Sequence, residues 1–264
     1  KGDAEAEARL VRFDIQKGMI FADLRIGADV AGAKPLRANS GLSCVGYQLT
    51  GQGFILNLDE ALRLLKLEPQ SRNIIKPWLG GLGIQRRQEP RLAIDVCDIS
   101  VAELRSKHPV VFQHLQDTVY PERRENSRKS VRENWWVYGE ARNTFRPAIS
   151  SLDRMIVTSL TAARRIFTIV PKETIADSTT VMFGFSDACF FAILSSGVHS
   201  AWFESNAGSL GVYAGNIRYN KSLCFDPFPF PDPTEDQKTH LRSLGEQLDA
   251  HRKAQQAAHP KLTL

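Results

Sequence analysis

Short apolar runs punctuated by glycine and proline fill the first part of the chain, and clear helical periodicity appears later. Leu10 to Ile15 and Met19 to Ile26 are apolar runs broken by Gly18, Gly27, Gly32 and Pro35, a pattern of strands joined by turns. The alternation continues through Cys44 to Tyr47 and Gly53 to Leu58. Asp59 then caps a short predicted helix with Ala61, Leu62 and Leu65 on one face, ending near Glu68-Pro69. Residues 72–81 mix apolar anchors with cations around Pro77 and end in Gly80-Gly81, which predicts a loop pinned to a core. Arg91 to Val96 alternates as a strand. Ser100 and Glu103 have capping-box spacing for a helix that Pro109 interrupts, and its second half carries Val110, Leu115 and Val119 inward until Pro121.

Glu122 to Arg132 reads as a polar, basic helical stretch, and Trp135-Trp136-Val137-Tyr138 needs burial or a stacking partner. Strands are predicted at Met155 to Ser159, Arg165 to Val170 and Thr180 to Phe183. Ser186 and Asp187 open an apolar helix through Leu194, and Gly197 breaks it before a turn with Val198, Trp202 and Phe203. A loop rich in Gly, Ser and Asn covers residues 205–223. Phe225 to Pro231 alternates Phe with Pro, so the chain runs extended with its rings docked. Thr234 with Gln237 forms a second capping box for an amphipathic helix reaching about Ala258, with Leu241, Leu244 and Leu248 as its stripe. The order of elements predicts a mixed α/β (α+β) domain of small twisted sheets and flanking helices, followed by a C-terminal helical tail.

With 264 residues, 42% apolar and 24% charged, the chain can bury a substantial core, which excludes fibrous, disordered and small disulfide-stapled classes. No run approaches the roughly 20 apolar residues of a membrane-spanning helix, so no membrane partner is expected. Cys44, Cys97, Cys189 and Cys224 form no CxxC pair and read as reduced core thiols of a cytoplasmic protein, with no zinc site expected. The chain opens at Lys1 without an initiator Met or signal-peptide pattern, which suggests an excised piece whose chemistry lies elsewhere. The net charge of +5 and a pI near 9.1 make a polyanion the first partner to consider.

The position of that charge is more informative than its size. Between Thr118 and Arg165 stand ten cations (Arg123, Arg124, Arg128, Lys129, Arg132, Arg142, Arg146, Arg154, Arg164, Arg165) and five acids, an excess equal to the net charge of the whole chain. Arginines interleaved with Trp135, Trp136 and Tyr138 suit phosphate contacts plus stacking. They suit equally a solvated helix face over core aromatics. The 206–221 loop carries Ser209, Asn216, Arg218, Asn220 and Lys221, which can read base edges or hold phosphates, and reads equally as a flexible connector.

Catalytic patterns fail. Asp226-Pro227-Phe228-Pro229 has Phe where a base-flipping methyltransferase loop needs its second Pro, and the acids at Asp232 and Asp236 share one helical start, unlike a nuclease metal site. Gly80-Gly81-Leu82-Gly83 follows no clear strand and reads as a turn. His199 lies among apolar residues without a nucleophile motif, and the histidines have no HExxH spacing.

Several segments nevertheless occur in a telling order: Lys34-Pro35-Leu36 to Gly53-Phe54-Ile55-Leu56, residues 72–81, Trp135-Trp136 with Arg142, and residues 194–202. Arg218-Tyr219-Asn220, Cys224 to Pro231 and Leu248 to Lys253 complete the series. Together they resemble the C-terminal part of MmeI-type (type IIL) DNA methyltransferases, whose target recognition domain follows a methyltransferase domain and, in some, a nuclease. The resemblance implies an opening segment at 1–35 leading from the methyltransferase domain, a DNA target recognition domain at 36–232 and a helical spacer at 233–264.

It further implies a double-stranded DNA partner, the methyltransferase domain of the same polypeptide as a second partner, and a bacterial, nucleoid-associated location. No cofactor is expected in this fragment; the parent enzyme would use S-adenosylmethionine, and Mg2+ if it also carries a nuclease. Arg72, Lys76 and the cationic block are then expected to hold phosphates. Ser209, Tyr213, Asn216, Arg218, Asn220 and Lys221, with Thr158, Ser159, Arg164 and Arg165 after a predicted strand, are expected at the reading surface. The Phe-Pro segment is expected to dock against the methyltransferase. Two other classes stand beside this one: an autonomous enzyme around Trp78 to Gly83 and His199, and a scaffold module using Trp135, Trp136 and the last helix.

Overall fold

Strict alternation over residues 154–159 places successive side chains on opposite faces of a strand, and both faces are buried. In a computed structural model that describes residues 32–206, 217–261 and 263, the elements follow in chain order. They are β1 (Ser43–Val45), β2 (Ile55–Asn57), α1 (Leu58–Leu67), β3 (Ile75–Leu79), α2 (Gly81–Gln85), β4 (Arg91–Ile94) and α3 (Val101–Lys107). Next come α4 (Pro109–Thr118), α5 (Tyr120–Arg123), α6 (Lys129–Glu133), α7 (Arg146–Ser150), β5 (Arg154–Ser159), β6 (Thr161–Ala162), β7 (Phe167–Pro171) and β8 (Ile175–Ala176). The chain closes through β9 (Thr180–Phe183), α8 (Ala188–Leu194), α9 (Gly197–Asn206), β10 (Ile217–Arg218), α10 (Lys221–Cys224) and α11 (Glu235–Ala258). The strands expected between residues 10 and 26 lie outside the described residues.

One four-stranded sheet has the order β1-β9-β5-β7, all antiparallel. Met155, Val157 and Met182 point into a core shared with the second sheet, whereas Ile156, Val181 and Phe183 point into a core beneath α8, α9 and the Phe-Pro segment. The second sheet has the order β2-β4-β3-β8, with β8 parallel to β3. Strands β6 and β10, distant in sequence, form a separate antiparallel pair, Arg218 opposite Thr161. The architecture is therefore the mixed α+β class expected, with small sheets and a closing helix.

The 72–81 segment is a strand, not a loop. Pro77 argues against a central strand because it donates no ladder hydrogen bond, yet β8 pairs only with Trp78 and Leu79, so Pro77 lies where that side of β3 has no neighbour. α1 is capped by Asn57, not Asp59, through a reciprocal box with Glu60 at 2.9 Å each way. That cap turns Ala61 and Leu64 inward and leaves Leu62 exposed. Pro109 starts α4 and breaks the helix as predicted; Val111, rather than Val110, is fully buried beside Leu115 and Val119. The break is stitched by buried Glu68, which accepts the free Val110 N–H at 3.0 Å and the hydroxyl hydrogen of Ser71.

The Phe-Pro rings dock into this unit's own core, against Phe183, Phe185, Phe190 and His199. Asn39 fastens the segment by donating to the carbonyls of Phe225, Asp226 and Phe228. Phe225 and Phe228 thus leave no face for another domain.

α11 has its Thr234–Gln237 box, but Leu244 is exposed, and Gly245 and Asp249 are its buried positions. A side chain at Gly245 would put its Cβ 2.4 Å from the Ala188 carbonyl oxygen, so glycine permits helix-to-helix contact with α8. Asp249 accepts the Ile169 N–H at 3.1 Å and Lys253 donates to the Ile169 carbonyl at 2.7 Å. The helix therefore covers the unpaired edge of β7 with polar groups and packs onto the same compact unit of residues 34–264.

Candidate nucleic-acid interface

A guanidinium holds a phosphate with donors it has not committed within the chain, and much of the cationic block has committed them. Arg123 is 1% exposed. It donates through Nε to the Thr50 carbonyl at 2.6 Å and through Nη1 and Nη2 to the carbonyls of Trp135, Val137 and Leu49. Its charge lies over the Phe54 ring at 5.0 Å, and burial pushes its pKa down to about 10, still protonated at neutral pH. Thr50 has φ 53°, in the left-handed region, so Arg123 locks a strained turn onto residues 134–137. Sequence reading assigned Arg123 to DNA; its burial makes it a structural clasp.

Its neighbours are paired. Arg124 faces Glu125, Arg128 faces Glu140, Lys129 faces Glu133, and Arg142 shares Glu140 while donating to the Gly46 carbonyl at 3.1 Å. Arg132 caps the carbonyls of Asn126 and Ser127. Trp135 packs edge-on to Tyr120, Trp136 donates to the Ile99 carbonyl at 3.0 Å, and Tyr138 is buried with its hydroxyl on the Ile94 carbonyl. The aromatics are core and flank, not stacking platforms.

Of the proposed reading residues, Thr158 and Ser159 are fully buried, their hydroxyls donating to the carbonyls of Ile166 at 2.6 Å and Gly81 at 2.7 Å. They fasten β5 and cannot touch a base. Arg165 donates to the carbonyls of Ser159 and Ile217 and lies over the rings of Phe203 and Tyr219, with its pKa lowered to about 10 by burial. It supports the β6–β10 pair from behind. Asn220 caps α10 through the Ser222 N–H, and Lys221 pairs with Asp226 at 2.9 Å. Ser209, Tyr213 and Asn216 lie outside the described residues.

Two exposed arginines remain near one another in the fold: Arg218 on β10 and Arg164 just after its partner strand β6. Arg72 is exposed in the turn at Pro69–Asn73 before β3, and half-buried Lys76 stands on β3 of the second sheet. Gln85 Nε2 joins α2 to the end of β5 and the start of β6 through the Ser159 hydroxyl and the Thr161 carbonyl at 3.3 and 3.4 Å. Beyond α2 follow Arg86, Arg87 and Gln88, all exposed, and Arg91, whose guanidinium lies over Trp78 at 5.8 Å. Sequence reading passed over these residues, although a basic-polar triplet between two elements is a readable signal.

The family model described as MmeI, target recognition domain, matches residues 32–232. The chain belongs to this family. In structure the recognition domain is similar to the type IIL restriction-modification enzyme MmeI, solved in complex with DNA. The TM-score is 0.69 and the identity 19%, over 91% of this chain and 31% of that one, so this chain spans about a third of that enzyme. A weaker likeness is to the type IIG restriction endonuclease BpuSI, at TM-score 0.45 and 14% identity over 81% of this chain and 26% of that one. No curated protein matches the sequence.

The features that favoured an autonomous enzyme are packing features of the recognition domain. A strand and a five-residue helix do flank Gly80-Gly81, against the sequence reading of an isolated turn. The close approach there serves the chain itself: Gly81 donates to Thr179 Oγ1 at 2.7 Å, and a Cβ on it would lie 2.7 Å from the Thr179 carbonyl oxygen. His199 is fully buried, with Nε2 3.2 Å from the Tyr219 hydroxyl, and burial lowers its pKa to about 4. Ser71 contacts His108 Nδ1 at 2.7 Å as well as Glu68, but all three are buried and serve to hold α4. No group of three His, Cys, Asp or Glu among the described residues could hold a metal, and no described helix is long and apolar enough to cross a membrane.

Proposed function

We propose that this chain binds double-stranded DNA and selects the target sequence of an S-adenosylmethionine-dependent adenine-N6 methyltransferase of a restriction-modification system. The observation that carries the reading is the family match across residues 32–232. The exposed Arg164 and Arg218 support it, since arginine suits the O6 and N7 atoms of guanine in the major groove. Base contacts select the site, phosphate contacts hold the domain on it, and a methyltransferase domain of the same polypeptide takes the target adenine out of the stack. S-adenosylmethionine would serve that domain, with Mg2+ if the parent also carries a nuclease, in a bacterial cytoplasm beside the nucleoid.

Selection of a randomised duplex library by the chain, followed by sequencing of what stays bound, tests the reading. One short enriched motif is expected. Arg218→Ala should keep the motif but relax one of its positions, since a bidentate guanine contact contributes about 1–3 kcal/mol of discrimination. Retention with no sequence preference would count against a reading module.

A further inference from the structure

Phosphate holding has a second place in this fold, away from the paired cations of the block. A groove of about 930 Å3 lies between the α2–β4 connection, the Leu160–Thr161 turn and the last residues of the chain. Its walls carry Arg86, Arg87, Arg91 and Lys261 against the acids Glu89 and Asp177. The Asp177 carboxylate is already engaged by the N–H and hydroxyl of Thr179. Among the described residues none of the four cations forms an ion pair, in contrast to Arg124, Arg128, Lys129 and Arg142.

Two distant segments build the groove. Arg86 pairs with Thr263 in a β-bridge, and Arg87 and Gln256 reach across to the carbonyls of Ala257 and Ile84 at 3.5 Å. The residues after α11 thereby become a wall of the groove and bring Lys261 into it. Thr161 lines the groove and pairs with Arg218, so the groove runs beside the β6–β10 pair. Cations on separate segments along an open trough suit a line of phosphates better than a single converging anion.

We infer that this groove, including Lys261, holds the sugar-phosphate backbone of the duplex whose bases are read at the β6–β10 side. The inference rests on the proposed function, and it assigns to Arg86, Arg87 and Lys261 the positioning contacts that sequence reading gave to Arg123 through Arg142.

The test is titration of a short labelled duplex with the full 264-residue chain over a range of salt. Arg86→Glu with Arg87→Glu, and separately Lys261→Glu, should weaken binding by about tenfold per lost phosphate contact near 0.1 M salt, for every duplex sequence alike. The slope of log affinity against log salt should become shallower by about one per contact. A chain ending at Ala258 removes Lys261 without adding a negative charge and should weaken binding in the same direction, with thermal melting checking that each variant is folded. Unchanged affinity in folded groove variants, while the wild type binds in a salt-sensitive way, overturns the groove and leaves the function standing. No duplex binding by the wild type overturns both.

Discussion

Two arginine-rich regions of this molecule have opposite fates. Residues 123–146 hold more cations, yet Arg123 is spent on backbone carbonyls, Arg128 and Arg142 on Glu140, and Arg146 on Asp95 through two bonds of 3.0 and 2.9 Å. Residues 86–91 hold fewer cations, and these stand in an open groove without acidic partners among the described residues. The physical reason is desolvation. A guanidinium taken from water must have its donors satisfied internally, and one left in water keeps them for an incoming phosphate. The number of cations in a stretch of sequence is therefore a poor map of the charge available at the surface wherever the arginines clasp the chain.

The contrast breaks most visibly at Arg123. Arg123→Ala should lower stability by about 3–5 kcal/mol, since it strands several buried carbonyls and frees the strained turn at Thr50; urea unfolding measures it. A loss under 1 kcal/mol would show that the clasp is dispensable. Arg165→Ala comes next. It should lower stability by about 2 kcal/mol through lost hydrogen bonds and ring contacts, and hydrogen exchange should rise selectively at β10, because Arg165 holds the Ile217 carbonyl. The smallest effect is expected for Arg124→Glu with Lys129→Glu. Both are exposed and paired, so duplex affinity should change less than about twofold and stability by less than about 0.5 kcal/mol. A tenfold loss of affinity there would return phosphate holding to the block.

Acid should sharpen the picture of the core. His199 titrates near 4 in the folded chain and near 6.5 when unfolded, so the unfolded state binds more protons between those values. Stability should be full above about pH 6.5 and fall as pH drops towards 4, by up to the order of 3 kcal/mol. His199→Gln should flatten that part of a pH series of melting curves.

Much of the fold was readable where the signal is local. The Ser100 cap, the break at Pro109, the strands around 155–159 and 180–183 and the capping box at Thr234 each depend on residues within a turn or a strand of one another. The strand at 75–79 was hidden because Pro77 is tolerated only through the shortness of β8, a fact about a segment a hundred residues away. Leu244 was taken for core on helical spacing, but α11 meets α8 through Gly245 and β7 through Asp249. The site was less legible still. Arg164 and Arg218 were read as surface donors and stand exposed, whereas Thr158, Ser159 and Arg123 carry the same chemistry and lie inside.

By itself the sequence determined the class of fold, the family and the presence of a basic excess, because periodicity, capping residues and ordered motifs are properties of neighbours along the chain. Only the tertiary structure decided which of those cations are available. Whether a guanidinium meets a carbonyl, a carboxylate or water depends on segments far apart in sequence, as when Leu49 and Val137 converge on Arg123 or the chain's last residues close a groove over Arg86.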